Sequence, residues 1–370
     1  ARQGGPAAAQ PGARGPPTGG ECRHDAEDWR RRFDDAIRRR MYERLRELRL
    51  EVQRGTLDCL DARQYELEGR PVDLRPFEPR LRTEVHNGAD LRRGIPDSEE
   101  VPPSLVDVWD MDCLDACAEL RQRGCPGQRV AVLNMANAYC PGGGWQSGCG
   151  AQEENLFRRT NLVDHLTALR CRGRWQPPTY PLPEFGGAFS SDVCVFRGSE
   201  SSGYRLLPEP FRVCVISVAA YRNPEIVRSS AGPRLTKDSA GATLEKIRAI
   251  LRMAIHYSIT DLVLSAFGCG AFGNPPESIA RLFKMALFEE PEFRGQFARV
   301  VFAIIEDHNS PTGGNVQPFR RMFADVDAGL AMGAVPRAGA SAAAGSADVA
   351  FGAVNRPGFA PAAGQAAAPA

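Results

Sequence analysis

From Pro102 onward, short runs of apolar and β-branched residues alternate with stretches in which apolar residues recur every three or four positions. That alternation constrains the fold more than any other feature of the chain. Val106–Trp109 reads as a strand, and Cys113–Arg123 as a helix with Leu114, Cys117 and Leu120 on one face. Arg129–Asn134 reads as a buried strand, followed by a glycine-rich loop and a helix from about Gln152 to Leu169. Val193–Phe196 and Val213–Val218 are further strands, and Leu244, Ile247, Leu251 and Ala254 mark a long amphipathic helix. Asp261–Ala266 is a strand that runs into a second glycine-rich loop, Phe267–Gly273. A helix over Pro276–Phe288, a strand over Arg299–Ile305 and a last helix near Pro318–Phe323 close the pattern. Strands alternating with helices imply an α/β fold, a sheet covered by helices on both faces. In such sheets ligands sit beyond the carboxyl ends of strands, so two glycine-rich loops leaving that end can face one pocket.

The flanks read differently. Residues 1–21 and 328–370, rich in Ala, Gly and Pro, offer little to bury and are expected to be disordered tails. Residues 22–100 form a helical extension ahead of a catalytic domain over 101–327. From Asp25 to about Gln53, Phe33, Ile37, Met41, Leu45 and Leu48 share one helical face, and Gly55 reads as the stop. Residues 70–100 carry many prolines and charges and suggest an irregular connection.

Composition excludes several classes. The 370 residues carry a net charge of +1, which gives no case for bulk nucleic-acid binding or an anionic membrane surface. No apolar run approaches the roughly 20 residues of a membrane span. The 11 cysteines are odd in number, scattered, and follow no signal peptide. Thiols in an intracellular compartment, cytoplasmic or nuclear, are expected. Neither the cysteines nor the five histidines form a metal-ligand pattern.

The chemistry concentrates in VLNMANAYCPGGGWQSGCGAQEENL, Val132–Leu156. Gly142, Gly143 and Gly144 allow backbone conformations closed to other residues, so N–H groups can approach phosphate or ribose oxygens. Asn134 and Asn137 lie at a strand end, where amides can fix sugar hydroxyls. Gln152-Glu153-Glu154 then opens a helix. No Gly-Lys-Ser/Thr follows, which sets aside a Walker loop, and the glycines do not complete a dinucleotide fingerprint. Paired glutamates at a helix start usually serve the helix dipole alone. Beside this loop they can do more. Neighbouring helix residues point about 100° apart, so the two carboxylates cannot share one job. One can hold a sugar hydroxyl while the other reaches a scissile oxygen. Like charge and partial burial would raise one pKa and make a general acid.

These residues resemble the signature of poly(ADP-ribose) glycohydrolases, in which GGG precedes QEE, and the form VLNMAN…PGGG…AQEE resembles the microbial-type members. Leu264–Pro276, LSAFGCGAFGNPP, resembles the family's second loop. Phe189–Arg197, Val300–Ile304 and GRPVDLRP are also similar, so the likeness runs over about residues 35–326. Trp145–Cys149 and Ala219-Ala220-Tyr221 depart from the pattern. The resemblance implies a macrodomain-like three-layer α/β/α sandwich with a mixed sheet. It implies hydrolysis of ribose–ribose O-glycosidic bonds to release ADP-ribose. Glu154 would protonate the leaving oxygen and then activate water, while Glu153 and Asn137 would hold the ribose hydroxyls and Gln152 would support the site. Gly268, Gly270 and Gly273 would cradle the diphosphate, and Phe272 would pack on the terminal ribose. No metal or organic cofactor is implied. The implied partners are poly(ADP-ribose), ADP-ribose and ADP-ribosylated proteins, without membrane or specific nucleic acid. A binding-only ADP-ribose macrodomain and a hydrolase of mono-ADP-ribosylated protein are the alternatives.

Overall fold

The computed structural model describes residues 24–77, 83–92, 104–124, 128–167, 179–230, 232–306, 310–311 and 313–333. The readings for residues 1–21 and for the chain beyond Gly333 lie outside them. In chain order the elements are α1 (Ala26–Arg38), α2 (Tyr42–Ala62), β1 (Gln64–Leu67), β2 (Arg70–Asp73), β3 (Glu84–Asn87), β4 (Leu105–Trp109), α3 (Cys113–Arg123), β5 (Val130–Met135), α4 (Gln152–Arg159) and α5 (Leu162–Leu166). Then follow β6 (Gly186–Arg197), β7 (Leu206–Val218), β8 (Ile226–Ser229), β9 (Gly232–Leu235), α6 (Lys237–His256), β10 (Asp261–Leu264), α7 (Pro276–Lys284), β11 (Arg299–Ala303) and α8 (Val316–Gly333). The chain groups into one compact unit over Ala1–Ala331 and a second over Met332–Ala370, of which only Met332 and Gly333 are described.

Seven strands form one sheet in the order β3-β6-β7-β5-β10-β11-β4. Only β6 runs against the rest: it is antiparallel to β3 and β7, while β7, β5, β10, β11 and β4 pair in parallel. The apolar runs of the sequence become its central strands, buried on both faces as parallel strands require. The period of two sorts their side chains between two cores. Ala131, Leu133, Leu262, Leu264, Val300 and Phe302 join α6, α7 and α8 through Ile250, Phe283 and Phe319. Val130, Val132, Val263 and Val301 join α3, α4 and α5 through Leu114, Phe157 and Leu162. The arrangement is the expected α/β/α sandwich around a mixed sheet.

The N-terminal segment differs from the reading in four ways. The helix expected over 25–53 is two helices. It breaks because Arg40 takes a left-handed φ of +56°, and the N–H of Met41 reaches back to Ala36 O at 2.9 Å, a common helix-ending geometry. The apolar stripe therefore folds on itself. Trp29 and Phe33 pack on Leu48 and Val52, while Ile37 and Met41 are left exposed at the bend. Gly55 is not a stop but lies inside α2. There the buried Val52, Thr56 and Cys59 hold the helix through a residue that costs it about 1 kcal/mol against alanine. Residues 70–100 are not all irregular: β1 and β2 form a hairpin, and β3 is an edge strand of the main sheet. The segment thus supplies a strand to the sheet as well as helices.

Three later helices also depart from their readings. The helix expected from Gln152 to Leu169 ends at Arg159, because the backbone and the side chain of Asn161 pair with Cys194 of β6. The helix over 276–288 changes at Lys284 into a π-helical turn, Met285–Glu289. The last helix, expected near Pro318–Phe323, runs from Val316 to Gly333.

Candidate active site

β5 and β10 are neighbours, and both glycine-rich loops leave their carboxyl ends. β10 stops pairing with β5 at Val132, which leaves one edge of β5 without a strand. The Gln152 side chain takes that place. Its Oε1 accepts from Met135 N at 2.9 Å and its Nε2 donates to Leu133 O at 2.6 Å. The amide mimics a strand neighbour and fixes the first turn of α4 against the sheet.

Glu153 and Glu154 follow, both buried. Both oxygens of Glu153 are held by the loop backbone: Oε2 accepts from Asn137 N at 2.8 Å and Oε1 from Gly142 N at 3.0 Å. Glu154 is held at one oxygen only, where Oε1 accepts from Gly144 N at 2.9 Å. Among the described residues nothing pairs with its Oε2. The first and third glycines of the run thus each aim an N–H at one carboxylate, while the Gly143 N–H closes a turn onto Cys140 O at 3.1 Å. Gly143 has a φ of +51°, and a Cβ there would lie 2.9 Å from Glu154 Oε1 and 3.0 Å from Glu153 Oε2. Any side chain at 143 would push into the pair. A Cβ at Gly142 would strike the rings of Phe157 and Trp145, and one at Gly144 would strike Cys149.

Burial pushes the Glu153 carboxyl up to about 8. The N–H of Asn137 opposes the shift, the charge of Glu154 adds to it, and the Gly142 N–H and the Asn134 amide oppose it. The raised pKa expected within the pair is found at Glu153.

The two asparagines stand at and just beyond the end of β5. Asn134 is fully buried, and its Nδ2 donates to Ser217 Oγ at 3.0 Å. Asn137 directs its Oδ1 at the N–H groups of Tyr139 and Cys140, at 2.8 and 3.0 Å. The Asn134 amide thus ties β5 to β7, and the Asn137 Oδ1 closes the turn that follows β5.

The second loop folds around Asn274, whose Nδ2 donates to Gly268 O at 3.0 Å and to Tyr221 O at 2.8 Å. Gly268 and Gly273 have positive φ, +74° and +69°. Phe272 is half-buried rather than core, and its carbonyl accepts from Asn223 N at 2.7 Å. A cleft opens between the loops, lined by Met111, Met135, Gln152, Asn155, Ala220, Gly268, Gly270, Phe272, Ile304 and Asn315 among others. Of the expected site residues, Gln152, Gly268, Gly270 and Phe272 line it. Glu153, Glu154 and the 142–144 run form a second cluster, joined to the cleft through Gln152.

Four residues with no local signal complete the site. Tyr180, far along the chain, has a buried hydroxyl whose ionisation is opposed by burial and by Glu153 beside it. Asn155 lines the cleft and takes the hydroxyl of Tyr204. Asn315 lines the cleft from the start of α8, where Glu306 caps the helix at Asn315 N and Val316 N. Arg49 of α2 lies against Gly150, where any Cβ would overlap its guanidinium. It grips Glu200 with two bonds of 2.8 and 3.0 Å. Among the described residues no three His, Cys, Asp or Glu side chains converge as a metal site requires. Among them, too, no helix is long and apolar enough to cross a membrane.

Residues 53–198 match the family described as microbial-type PARG, catalytic domain. The structure is similar to poly(ADP-ribose) glycohydrolase from Thermomonospora curvata, with 30% identity, a TM-score of 0.61, and 74% of this chain and 99% of that one covered. The same enzyme bound to the inhibitor ADP-HPD matches with 30% identity, a TM-score of 0.60 and the same coverage. The Deinococcus radiodurans enzyme in complex with ADP-ribose matches with 28% identity and a TM-score of 0.53, over 66% of this chain and 94% of that one. No curated protein matches the chain.

Proposed function

The chain belongs to the poly(ADP-ribose) glycohydrolase family, in its microbial-type branch, and from that premise we propose how its own residues divide the hydrolysis. The enzyme is a glycosidase acting on poly(ADP-ribose), built on a macrodomain-like sandwich. The cleft between the two glycine-rich loops takes the ADP-ribose unit to be released. That reading is supported by the neighbours solved with ADP-ribose and with ADP-HPD. Phe272 packs on the terminal ribose, and the loop around Gly268, Gly270 and Gly273 takes the diphosphate through its backbone.

The carboxylates carry the chemistry. Glu153 is pinned at both oxygens, so it cannot swing; each oxygen keeps a lone pair for a ribose hydroxyl. Glu154 is pinned at one oxygen, and among the described residues nothing holds the other. That asymmetry is the observation that carries the assignment. The unheld oxygen protonates the departing ribose oxygen of the glycosidic bond. An oxocarbenium-like ribose forms, and the same carboxylate, now ionised, takes a proton from the attacking water. One group serves as acid and then base, unlike the opposed pair of most glycosidases. A binding-only macrodomain has no use for a carboxylate with one oxygen pinned by the loop backbone and the other unheld. We also read the enzyme as intracellular, cytoplasmic or nuclear, from its cysteine usage.

The test is release of ADP-ribose from poly(ADP-ribose). The parent protein releases it. Glu154→Gln lowers the rate by at least about 1,000-fold, within the range expected when proton transfer is lost, while ADP-ribose still binds. Equal release by Glu154→Gln would overturn the assignment, and binding without release by the parent would overturn catalysis.

A further inference from the structure

The polymer continues past the scissile bond, and its chemistry dictates what comes first. The departing oxygen is a hydroxyl of an adenosine ribose, so the sugar just beyond the bond carries an adenine. Any contact on that side must accept a flat aromatic base close to the carboxylates.

One side chain fits that place. The N–H of Asn137 sits on Glu153 Oε2 at 2.8 Å. Two residues on, Tyr139 is 78% exposed, more than any other large apolar side chain among the described residues. Two residues of chain reach at most about 7 Å, so the ring is rooted within a sugar's width of that bond. Its backbone is held. Tyr139 N and Cys140 N donate to Asn137 Oδ1 at 2.8 and 3.0 Å, and Leu182 N donates to Ala138 O at 2.9 Å. Among the described aromatic contacts none involves Tyr139. An aromatic ring on a pinned backbone, left in water two residues from the Asn137–Glu153 hydrogen bond, is a surface without an occupant inside the fold.

We propose that Tyr139 is the platform on which the adenine of the departing polymer end stacks. The inference rests on the glycohydrolase reading and adds a subsite to it. Stacking needs only the π-face that every adenine in the polymer presents. It would let the enzyme tell a polymer end from free ADP-ribose, because only the polymer reaches beyond the bond.

The experiment uses the Glu154→Gln protein, titrated with ADP-ribose and with a two-unit oligomer. The oligomer is expected to bind roughly tenfold tighter, the contribution of one stacked base. Adding Tyr139→Ala removes that advantage, adding Tyr139→Trp keeps it, and ADP-ribose affinity stays the same in all three proteins. With Glu154 intact, Tyr139→Ala raises KM for the polymer about tenfold. The proposal is overturned if the oligomer binds no tighter than ADP-ribose, if Tyr139→Ala leaves the advantage in place, or if it weakens ADP-ribose equally. Failure of the parent protein to release ADP-ribose would instead strike the premise, and is read in a separate assay.

Discussion

At Gly143 a left-handed backbone and two carboxylates meet within 3.0 Å of where a Cβ would stand. Gly143→Ala pays twice. The backbone strain costs about 1–2 kcal/mol, and the methyl must move Glu153 and Glu154. A misplacement of about 1 Å is enough to lose roughly 100-fold in rate. The expected outcome is a modest fall in stability with a loss of ADP-ribose release of at least that size, measured on the same preparation. Glu153 gives a pH dependence whose sign follows from its shift. Its pKa is about 8 in the fold against 4.5 when free. The folded carboxyl therefore keeps a proton that the unfolded one releases between those values. The burial penalty is absent below about pH 4.5 and complete above about pH 8, so stability falls as pH rises through that window. Thermal melts from pH 4 to 9 should show the decline, and Glu153→Gln should flatten it; an equal slope in the variant would contradict the assignment. The glutamates and the glycine run were legible because the loop and its ligands lie within 13 residues of each other, Gly142 to Glu154. Tyr180 and Arg49 were not, because their places beside Glu153 and Gly150 exist only after distant segments pack.

Among the elements, α2 acts as a brace for the first glycine-rich loop. Gly148 lies against the backbone of Arg46 and Gly150 against the Arg49 guanidinium, with no room for a side chain at either. Arg49 in turn grips Glu200, in the turn between β6 and β7. Burial alone would raise the Glu200 carboxyl, but the Arg49 bond and charge hold it below its ordinary value. Arg49→Met leaves the partly buried Glu200 carboxylate with the Tyr204 hydroxyl but without its cation. The expected cost is about 2 kcal/mol, within the range for losing hydrogen bonds to a charged group, read as a lower denaturant midpoint. The loop loses its support with it, so kcat should fall more than ADP-ribose affinity. Unchanged stability would show that solvent compensates Glu200. The brace was only half legible. The helical period of residues 25–53 announced helix, but neither the break at Arg40 nor the passage through Gly55 has a strong local signal. A left-handed arginine is unusual, and the glycine is tolerated because packing outweighs propensity. Likewise Asn161 ends α4 by pairing with β6, a partner 33 residues away.

At the scale of the whole molecule the sheet and its two cores were readable, because central parallel strands must be apolar on both faces. The hairpins β1–β2 and β8–β9 and the edge strand β3 were not, since short exposed strands carry little apolar patterning. The same asymmetry hid how firmly the N-terminal helices belong to the rest. Read from sequence, they form an extension. In the fold, Cys59 and Leu60 of α2 share a core with α3, α4 and the sheet. Trp29 of α1 donates from Nε1 to Leu48 O at 2.9 Å, stacks on Phe33 at 4.6 Å, and meets the edge of Tyr204 at 5.1 Å. Tyr204 follows the turn after β6 and also donates to Asn155, which lines the cleft. Trp29 therefore touches α1, α2 and the main domain at once. If these parts unfold as one unit, a protein keeping Trp29 as its sole tryptophan should lose fluorescence and far-UV dichroism at the same temperature. If α1 and α2 were an independent attachment, the fluorescence would change first, while the sheet remained. The shared core argues for coincidence, because separating α2 would expose Cys59 and Leu60 together with the faces of α3 and α4 that they cover. Trp29→Ala should then lower the single transition by about 3–5 kcal/mol, and reduce ADP-ribose release only as far as the folded fraction falls.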